Sequence, residues 1–223
     1  MIKAAIFDIG GVLAHDVWEH LLLSVPHGVA SKYNLSPESV EKVGKDLWKR
    51  YAKLDASAPQ DRNNCEREYW LRFKASFPQL ADSVSVESLI SMSDTFVQPV
   101  NEKDMPPILK RLKDKKVGLA ICSNNNEFWF HRQWTKLDLK RFFDDDKVVL
   151  SCREGVEKSD STFKMYQVAV EKLGLDAKEC AFVDDRMENI NRAIECGMTG
   201  ILFPSGSPDG ARYLNVLLHK LGL

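Results

Sequence analysis

The pattern that most constrains the fold is a set of five short apolar runs, rich in β-branched residues. They lie at residues 3–8 (KAAIFD), 117–122 (VGLAIC), 147–151 (KVVLS), 179–184 (ECAFVD) and 200–203 (GILF). Apolar and polar residues alternate little along these runs, so both faces of each strand are predicted to be buried. Strands buried on both faces are typical of a parallel sheet that is covered by helices.

Helical patterns separate the later runs, at residues 106–115, 161–173, 188–196 and 209–221. Two of these patterns stop at a glycine, Gly174 and Gly197, which is a common end of a helix. The alternation of strand and helix predicts an α/β fold whose core is a doubly wound, Rossmann-like parallel sheet.

The first two runs are separated by residues 9–116, far more than one crossover helix requires. The pattern within this interval is helical: Ser36 followed by Pro37 is a good helix start, and three apolar stripes follow at helical spacing. We therefore predict an inserted helical bundle, a cap domain, at residues 16–99. Residues 1–15 and 100–223 would then form the Rossmann-like core.

Composition excludes several classes of partner. The formal net charge of −1 gives no basic surface for nucleic acid or for an anionic membrane. No apolar run approaches the roughly 20 residues that span a bilayer, and Asp8 interrupts what would be the apolar part of a signal peptide. The five cysteines are odd in number, widely spread and without a Cys-x-x-Cys motif, which favours reduced thiols and a cytoplasmic protein. Whether the chain is a monomer or a homodimer stays open.

Polar residues follow the predicted strands at their carboxyl ends, where doubly wound sheets bind ligands. In chain order they are Asp8, Ser123, Asn124, Lys158, Asp184 and Asp185. A carboxylate can attack phosphorus, and Mg²⁺ held by carboxylates offsets the repulsion between the carboxylate and the phosphate. A lysine adds positive charge, and a hydroxyl group binds a phosphate oxygen. These residue types predict Mg²⁺-dependent phosphoryl transfer from a small phosphorylated metabolite.

The same residues carry a family resemblance. The motifs IFDIGGVL, AICSNN, GVEKSD and FVDDRMENINRAIECGM, in this order between Ile6 and Met198, resemble those of the haloacid dehalogenase-like (HAD) hydrolase superfamily. The most similar subgroup contains glucose-1-phosphatase-type enzymes and the phosphatase domain of soluble epoxide hydrolases. This resemblance implies a Rossmann-like core with a helical cap after the first strand. It also implies hydrolysis of a phosphomonoester through an aspartyl-phosphate.

Residue by residue, the resemblance implies that Asp8 is the nucleophile. Ser123 would be the phosphate-binding hydroxyl, and Asn124 would contribute a backbone amide. Lys158 would steady the nucleophile and the phosphate.

For the metal, the resemblance implies that Asp185 is the main acidic ligand of Mg²⁺, beside the nucleophile Asp8. Asp184 would be a second ligand or a partner of the ligands, and Gly10 would contribute its backbone carbonyl. Gly10 and Gly11 are also expected to lie against the phosphate.

One position departs from the family pattern. Most phosphatases of the superfamily have an aspartate, the general acid–base, two positions after the nucleophile, where this chain has Gly10. The loss of a general acid–base typically lowers the rate about 10²–10⁴-fold. Related glucose-1-phosphatase-type enzymes also have glycine there. We consider His15 or Asp16, just past the strand, as a substitute acid.

Two other functions remain in view. A metal-independent 2-haloacid dehalogenase uses the same aspartate to attack carbon, although the pair Asp184–Asp185 would repel an anionic attack unless a cation lay between the acids. The other is a non-catalytic HAD-like module that binds phosphate or metal, since Gly10 replaces the usual acid. The sequence does not identify the substrate, and a sugar phosphate is one candidate.

Overall fold

The computed structural model describes residues 1–55, 58–80 and 83–223, without the side chains of Trp18 and Pro59. Within this part the chain forms one five-stranded sheet in the order β3-β2-β1-β4-β5, and every pairing is parallel. The strands are β1 (Ala4–Phe7), β2 (Gly118–Ser123), β3 (Val148–Leu150), β4 (Cys180–Asp184) and β5 (Thr199–Leu202). The predicted α/β class with a parallel Rossmann-like sheet is confirmed.

Helices fill the connections between the strands. Between β1 and β2 lie a π-helical turn (Trp18–Leu22), α1 (Val29–Lys32), α2 (Pro37–Tyr51), α3 (Pro59–Ala75) and α4 (Val86–Phe96), then α5 (Met105–Asp114). The later connections hold α6 (Glu127–Lys136), α7 (Ser151–Glu154), α8 (Lys164–Leu173) and α9 (Met187–Glu195), and α10 (Gly210–Lys220) follows β5.

The strands bury both of their faces, as predicted. In β1, Ala5 and Phe7 belong to an apolar cluster that includes α5 and α10, whereas Ala4 and Ile6 belong to another cluster that includes α8 and α9. Successive side chains of a strand point to opposite faces, so this division places helices on both sides of the sheet. The sheet is therefore doubly wound.

The helices between β1 and β2 up to α4, which we call the inserted helices, have an apolar cluster of their own. Its centre includes Tyr69, Trp70 and Phe73, all fully buried. Phe128 and Trp129 of α6 belong to the same cluster, so α6 joins the inserted helices to the sheet. The helix start predicted at Ser36 is confirmed, because its Oγ accepts a hydrogen bond from the Ser39 amide at 3.3 Å.

The chain enters and leaves the inserted helices through adjacent backbone segments. The His15 amide donates to the Gln98 carbonyl at 3.0 Å, and the Val100 amide donates to the Leu13 carbonyl at 3.2 Å. The assignment of residues 16–99 as a separate cap domain remains a prediction. Within the three described ranges, no helix has the length and apolar character that a membrane crossing needs.

Candidate active site

The carboxyl ends of β1, β2 and β4 meet at one edge of the sheet. Phe7 pairs with Ile121 of β2 on one side and with Val183 of β4 on the other. The residues that follow these positions, Asp8, Ser123 and Asp184, are thereby brought together although they are far apart in sequence. A cavity of about 330 Å³ opens at this edge, and Asp8, Ser123 and Lys158 line it.

Lys158 is the buried cation of the site. Its side chain is 1% exposed, and its Nζ lies 2.6 Å from Oδ2 of Asp8 and 2.6 Å from Oδ2 of Asp184. Burial lowers the pKa of Lys158, but the carboxylates of Asp184 and Asp8 outweigh burial and raise it above its ordinary value. The ammonium group therefore stays charged between two acids.

The loop that carries Lys158 is fixed by hydrogen bonds to its backbone. The Lys158 amide donates to Oδ1 of Asn124 at 2.8 Å, and Nε of Arg192 donates to the Lys158 carbonyl at 2.9 Å. The side chain of Asn124 thus has a positioning task that the sequence did not predict. The predicted contact of its backbone amide with phosphate remains a prediction.

Asp184 is fully buried and its oxygens have partners in the protein. Besides Lys158, it accepts hydrogen bonds from Nδ2 of Asn189 at 3.0 and 3.1 Å and from the Arg186 amide at 2.9 Å. These donors hold the carboxylate at the base of the site.

Asp185 is the least satisfied acid of the site. Its Oδ1 is buried and has no hydrogen-bond partner among the described residues. Burial, followed by the charge of Asp184, raises the pKa of Asp185 to about 6. An oxygen of Asp185, one of Asp8 and one of Asp184 all lie within 4.8 Å of one another. Clustered carboxylate oxygens are the ligands that Mg²⁺ prefers, so these residues fit that ion.

Asp8 is buried, and it lies beside both a cation and an anion. Burial raises the pKa of Asp8, and the charge of Asp184 raises it further, whereas Lys158 and a hydrogen bond with Ser123 oppose the rise. Its Oδ1 also accepts a hydrogen bond from the Ile9 amide at 2.7 Å. Additional positive charge at this edge would favour the ionised form, which is the nucleophilic one.

Gly11 allows Asp185 to approach the loop after β1. Its φ of +72° lies in the left-handed region, and a Cβ there would stand 2.1 Å from Oδ2 of Asp185. Its amide donates to the Ala14 carbonyl at 2.8 Å. Gly11 therefore provides space for a carboxylate and uses its amide within the loop; its predicted place against the phosphate remains a prediction.

The structure separates the two candidates for a substitute acid. Asp16 lines the cavity together with Asp8 and Gly10. A Cβ built on Gly10 would lie 3.6 Å from Oδ2 of Asp16, so the Asp16 carboxylate stands beside the vacant side-chain position. His15 instead packs against the ring of His20, with ring centroids 3.9 Å apart.

Several cavity residues were not found by sequence reasoning. Arg186 lines the cavity and forms an ion pair with Asp16 at 3.3 Å. Lys45, Trp48 and Lys49 of α2 also line it. Their spacing of three and four residues marks one face of a helix, but that pattern alone does not say what the face meets.

Two curated relatives match most of this chain, and a third matches about a third of it. The mouse protein acyl-CoA dehydrogenase family member 10 is 26% identical over 204 residues, covering 88% of this chain but 17% of the relative. The chloroplast flavin mononucleotide hydrolase 1 of Arabidopsis thaliana is 35% identical over 79 residues, 35% of this chain and 31% of the relative. Sesquiterpene phosphatase astK of Aspergillus oryzae is 24% identical over 209 residues, 89% of this chain and 88% of the relative. The chain thus spans less than a third of the length of the first two.

Solved structures share the fold at low sequence identity. A HAD family enzyme of Bacteroides thetaiotaomicron, in complex with magnesium and inorganic phosphate, is 20% identical with a TM-score of 0.58, covering 93% of this chain and 96% of that chain. The L-2-haloacid dehalogenase of Xanthobacter autotrophicus is 22% identical with a TM-score of 0.61, covering 96% of this chain and 82% of that one.

The family match extends over the whole site. The family described as haloacid dehalogenase-like hydrolase matches residues 2–197, a span that contains β1 to β4 and all the predicted site residues. This confirms the resemblance seen in the motifs at the superfamily level. The chain belongs to the haloacid dehalogenase-like hydrolases.

Proposed function

We propose that this hydrolase is a magnesium-dependent phosphatase that cleaves a small phosphomonoester through an aspartyl-phosphate on Asp8. The observation that carries the proposal is the imbalance of charge at the site. Three carboxylates with oxygens within 4.8 Å of one another meet one lysine, and one oxygen of Asp185 has no partner among the described residues. Such a cluster is suited to a divalent cation and an anionic substrate.

In the proposed reaction, the Asp8 carboxylate attacks phosphorus and the bond to the alcohol oxygen breaks. Lys158 and the hydroxyl of Ser123 hold phosphate oxygens. These two groups stabilise the negative charge that develops on the phosphate oxygens during the reaction. Asp8, Asp185, Asp184 and the carbonyl of Gly10 would hold Mg²⁺, which supplies positive charge against the repulsion between carboxylate and phosphate. Water then cleaves the aspartyl-phosphate, which releases inorganic phosphate and restores Asp8.

We assign the proton transfers to Asp16 rather than to His15. Asp16 would give its proton to the departing alkoxide and later accept one from the attacking water. Its carboxylate stands beside Gly10 in the same cavity as Asp8, whereas the ring of His15 packs against that of His20.

Asp16→Asn should lower kcat by about 10²-fold for an alkyl phosphate, which has a poor leaving group, and by much less for p-nitrophenyl phosphate. His15→Ala is the matched control and should keep kcat on both substrates within a few-fold. Equal losses on both substrates in Asp16→Asn would refute this role.

Other observations agree with phosphatase chemistry. One relative is named a phosphatase and another a flavin mononucleotide hydrolase, and one structural neighbour binds magnesium and phosphate. The similarity to a haloacid dehalogenase supports the fold alone, and the acidic pair beside Asp8 disfavours an attack without metal. We place the enzyme in the cytoplasm, as a monomer or homodimer that acts on a small phosphorylated metabolite.

The test is phosphate release from a broad panel of phosphomonoesters, with Mg²⁺ and with a chelator. We expect turnover that requires Mg²⁺ and that Asp8→Asn abolishes, because the variant retains the shape of the site without the nucleophile. Release that persists in Asp8→Asn, or that a chelator leaves unchanged, would contradict the mechanism. Metal-free release of halide from a 2-haloacid would favour the dehalogenase. Mg²⁺ binding without any turnover would favour a binding module.

A further inference from the structure

One wall of the active-site cavity comes from the inserted helices. Lys45, Trp48 and Lys49, on one face of α2, line the same cavity as Asp8 and Ser123. The cavity therefore has a phosphate-binding part built by the sheet and a second part built around an indole ring.

Trp48 is held in place by a ring of the core. Its indole stacks on that of Trp129, with ring centroids 5.2 Å apart and an angle of 18° between the planes. Trp129 is 1% exposed and belongs to α6, which begins four residues after Ser123. The orientation of Trp48 is thus tied to α6, the helix that follows β2 and its predicted phosphate-binding residue Ser123.

Besides Trp48, the cavity lining that residues 17–49 supply consists of one apolar side chain and two lysines. Val17 also lines the cavity. Lys45 and Lys49 are exposed, and they form ion pairs with Glu41 at 2.5 Å and with Asp46 at 3.3 Å. Exposed pairs of this kind stabilise little, and the aliphatic stems of lysines cover apolar surface while their charged ends stay in water.

We infer that Trp48 is a specificity-determining residue, and that the substrate is the phosphate ester of an alcohol that bears an aromatic or other flat apolar group. The face of that group would pack against the indole while the phosphate lies at Asp8, Ser123 and Lys158. This inference rests on the proposed function for the phosphate end of the cavity. A small polar alcohol would leave the indole against water and would gain nothing from it.

The inference can be tested by binding alone, with two phosphonates that are not hydrolysed. Phenylphosphonate and methylphosphonate share the head group and differ in the aromatic ring. With Mg²⁺ present, calorimetry should show that the wild type binds phenylphosphonate roughly 10-fold more tightly, the scale of one aromatic stacking contact. Trp48→Ala should bring this ratio close to one and leave the Kd of methylphosphonate within about twofold.

Trp134→Ala is the matched control. Trp134 is half-buried, as Trp48 is, but it lies on α6 and packs against Phe130 with ring centroids 5.5 Å apart. It contacts the apolar cluster that includes α5 and α10. This variant should retain the wild-type ratio. Trp48→Leu is the second variant in the event that Trp48→Ala does not fold: it keeps an apolar side chain but loses the flat face, and it should reduce the ratio to roughly threefold.

Equal affinity of the wild type for both phosphonates would overturn the inference, and so would an equal loss of both affinities in the Trp48 variants. The proposed function fails separately. If phosphomonoesters are hydrolysed but the ratio is one, only the role of Trp48 is wrong. If the ratio depends on Trp48 but no ester is hydrolysed, only the phosphatase proposal is wrong.

Discussion

Two clusters of buried charge near the end of β2 both combine carboxylates with a cation, but they differ in the balance of charge. In the active site, Lys158 lies between Asp8 and Asp184, and Asp185 adds a third carboxylate. At the start of α6, Glu127 is 1% exposed and pairs with one cation, Arg153: Nε–Oε1 is 2.6 Å and Nη2–Oε2 is 3.2 Å.

The difference separates a structural pair from a binding site. The pair of Glu127 and Arg153 is balanced and bidentate, and nothing further is needed to compensate its charge. The active-site cluster keeps a negative excess and an oxygen without a partner among the described residues. Buried charge that the protein itself does not compensate is expensive, and it is most readily explained by a ligand that completes it.

The largest effect should come from removing Lys158, the buried cation that lies between Asp8 and Asp184. Lys158→Met should lower turnover by about 10³-fold at saturating Mg²⁺, because the phosphate then faces the carboxylates without an ammonium group. Glu127→Gln should leave turnover within threefold. The comparison breaks if both variants lose activity to the same extent, as measured by phosphate release from protein with a native circular dichroism spectrum.

The balanced pair of Glu127 and Arg153 should contribute to stability rather than to turnover. Glu127→Gln leaves Arg153 without its carboxylate, so the free energy of unfolding should fall by about 2–3 kcal/mol, somewhat below a fully buried pair because Arg153 reaches solvent. The matched control is Glu87→Gln, which removes an exposed ion pair with Arg67 and should leave stability almost unchanged. Urea unfolding of the two variants measures both values, and equal losses would show that burial of Glu127 contributes nothing.

The sequence predicted the sheet and the gathering of the site because both follow from local pattern. Runs without polar alternation indicate strands covered on both faces, and parallel strands bring their carboxyl ends to one edge, which places Asp8 and Ser123 near Asp184. The approach of Asp16 to Gly10 was not predictable in this way. It depends on the tertiary path of residues 9–16, in which the amides of Leu13 and Ala14 both donate to the Ile9 carbonyl.

The pairing of Lys158 with Asp184 rather than with Asp185 was also beyond the sequence. Adjacent residues at a strand end point in different directions, and pattern alone does not say which one meets Lys158. The same limit applies to Trp48. Its spacing from Lys45 and Lys49 places the three residues on one face of α2, but the spacing does not say which cavity that face lines.

The smallest expected effect concerns Asp185 in the absence of metal. Asp185→Asn removes one like charge from the cluster, so the variant in a chelator at pH 8 should be more stable than the wild type by about 1–2 kcal/mol. The pKa of Asp185 is raised to about 6 in the folded protein, so its protonated form favours folding. That contribution is complete below the ordinary pKa near 3.9 and is lost as the pH rises through about 6. The advantage of the variant should therefore vanish near pH 4.

Mg²⁺ should reverse the order at pH 8, because an ion bound to the folded wild type stabilises it by mass action and the variant lacks a ligand. Thermal unfolding of the wild type and the variant measures the difference in stability at both pH values, with and without Mg²⁺. A wild type that is already the more stable protein in chelator at pH 8 would mean that the charge of Asp185 is compensated within the chain, and the contrast with Glu127 would then be lost.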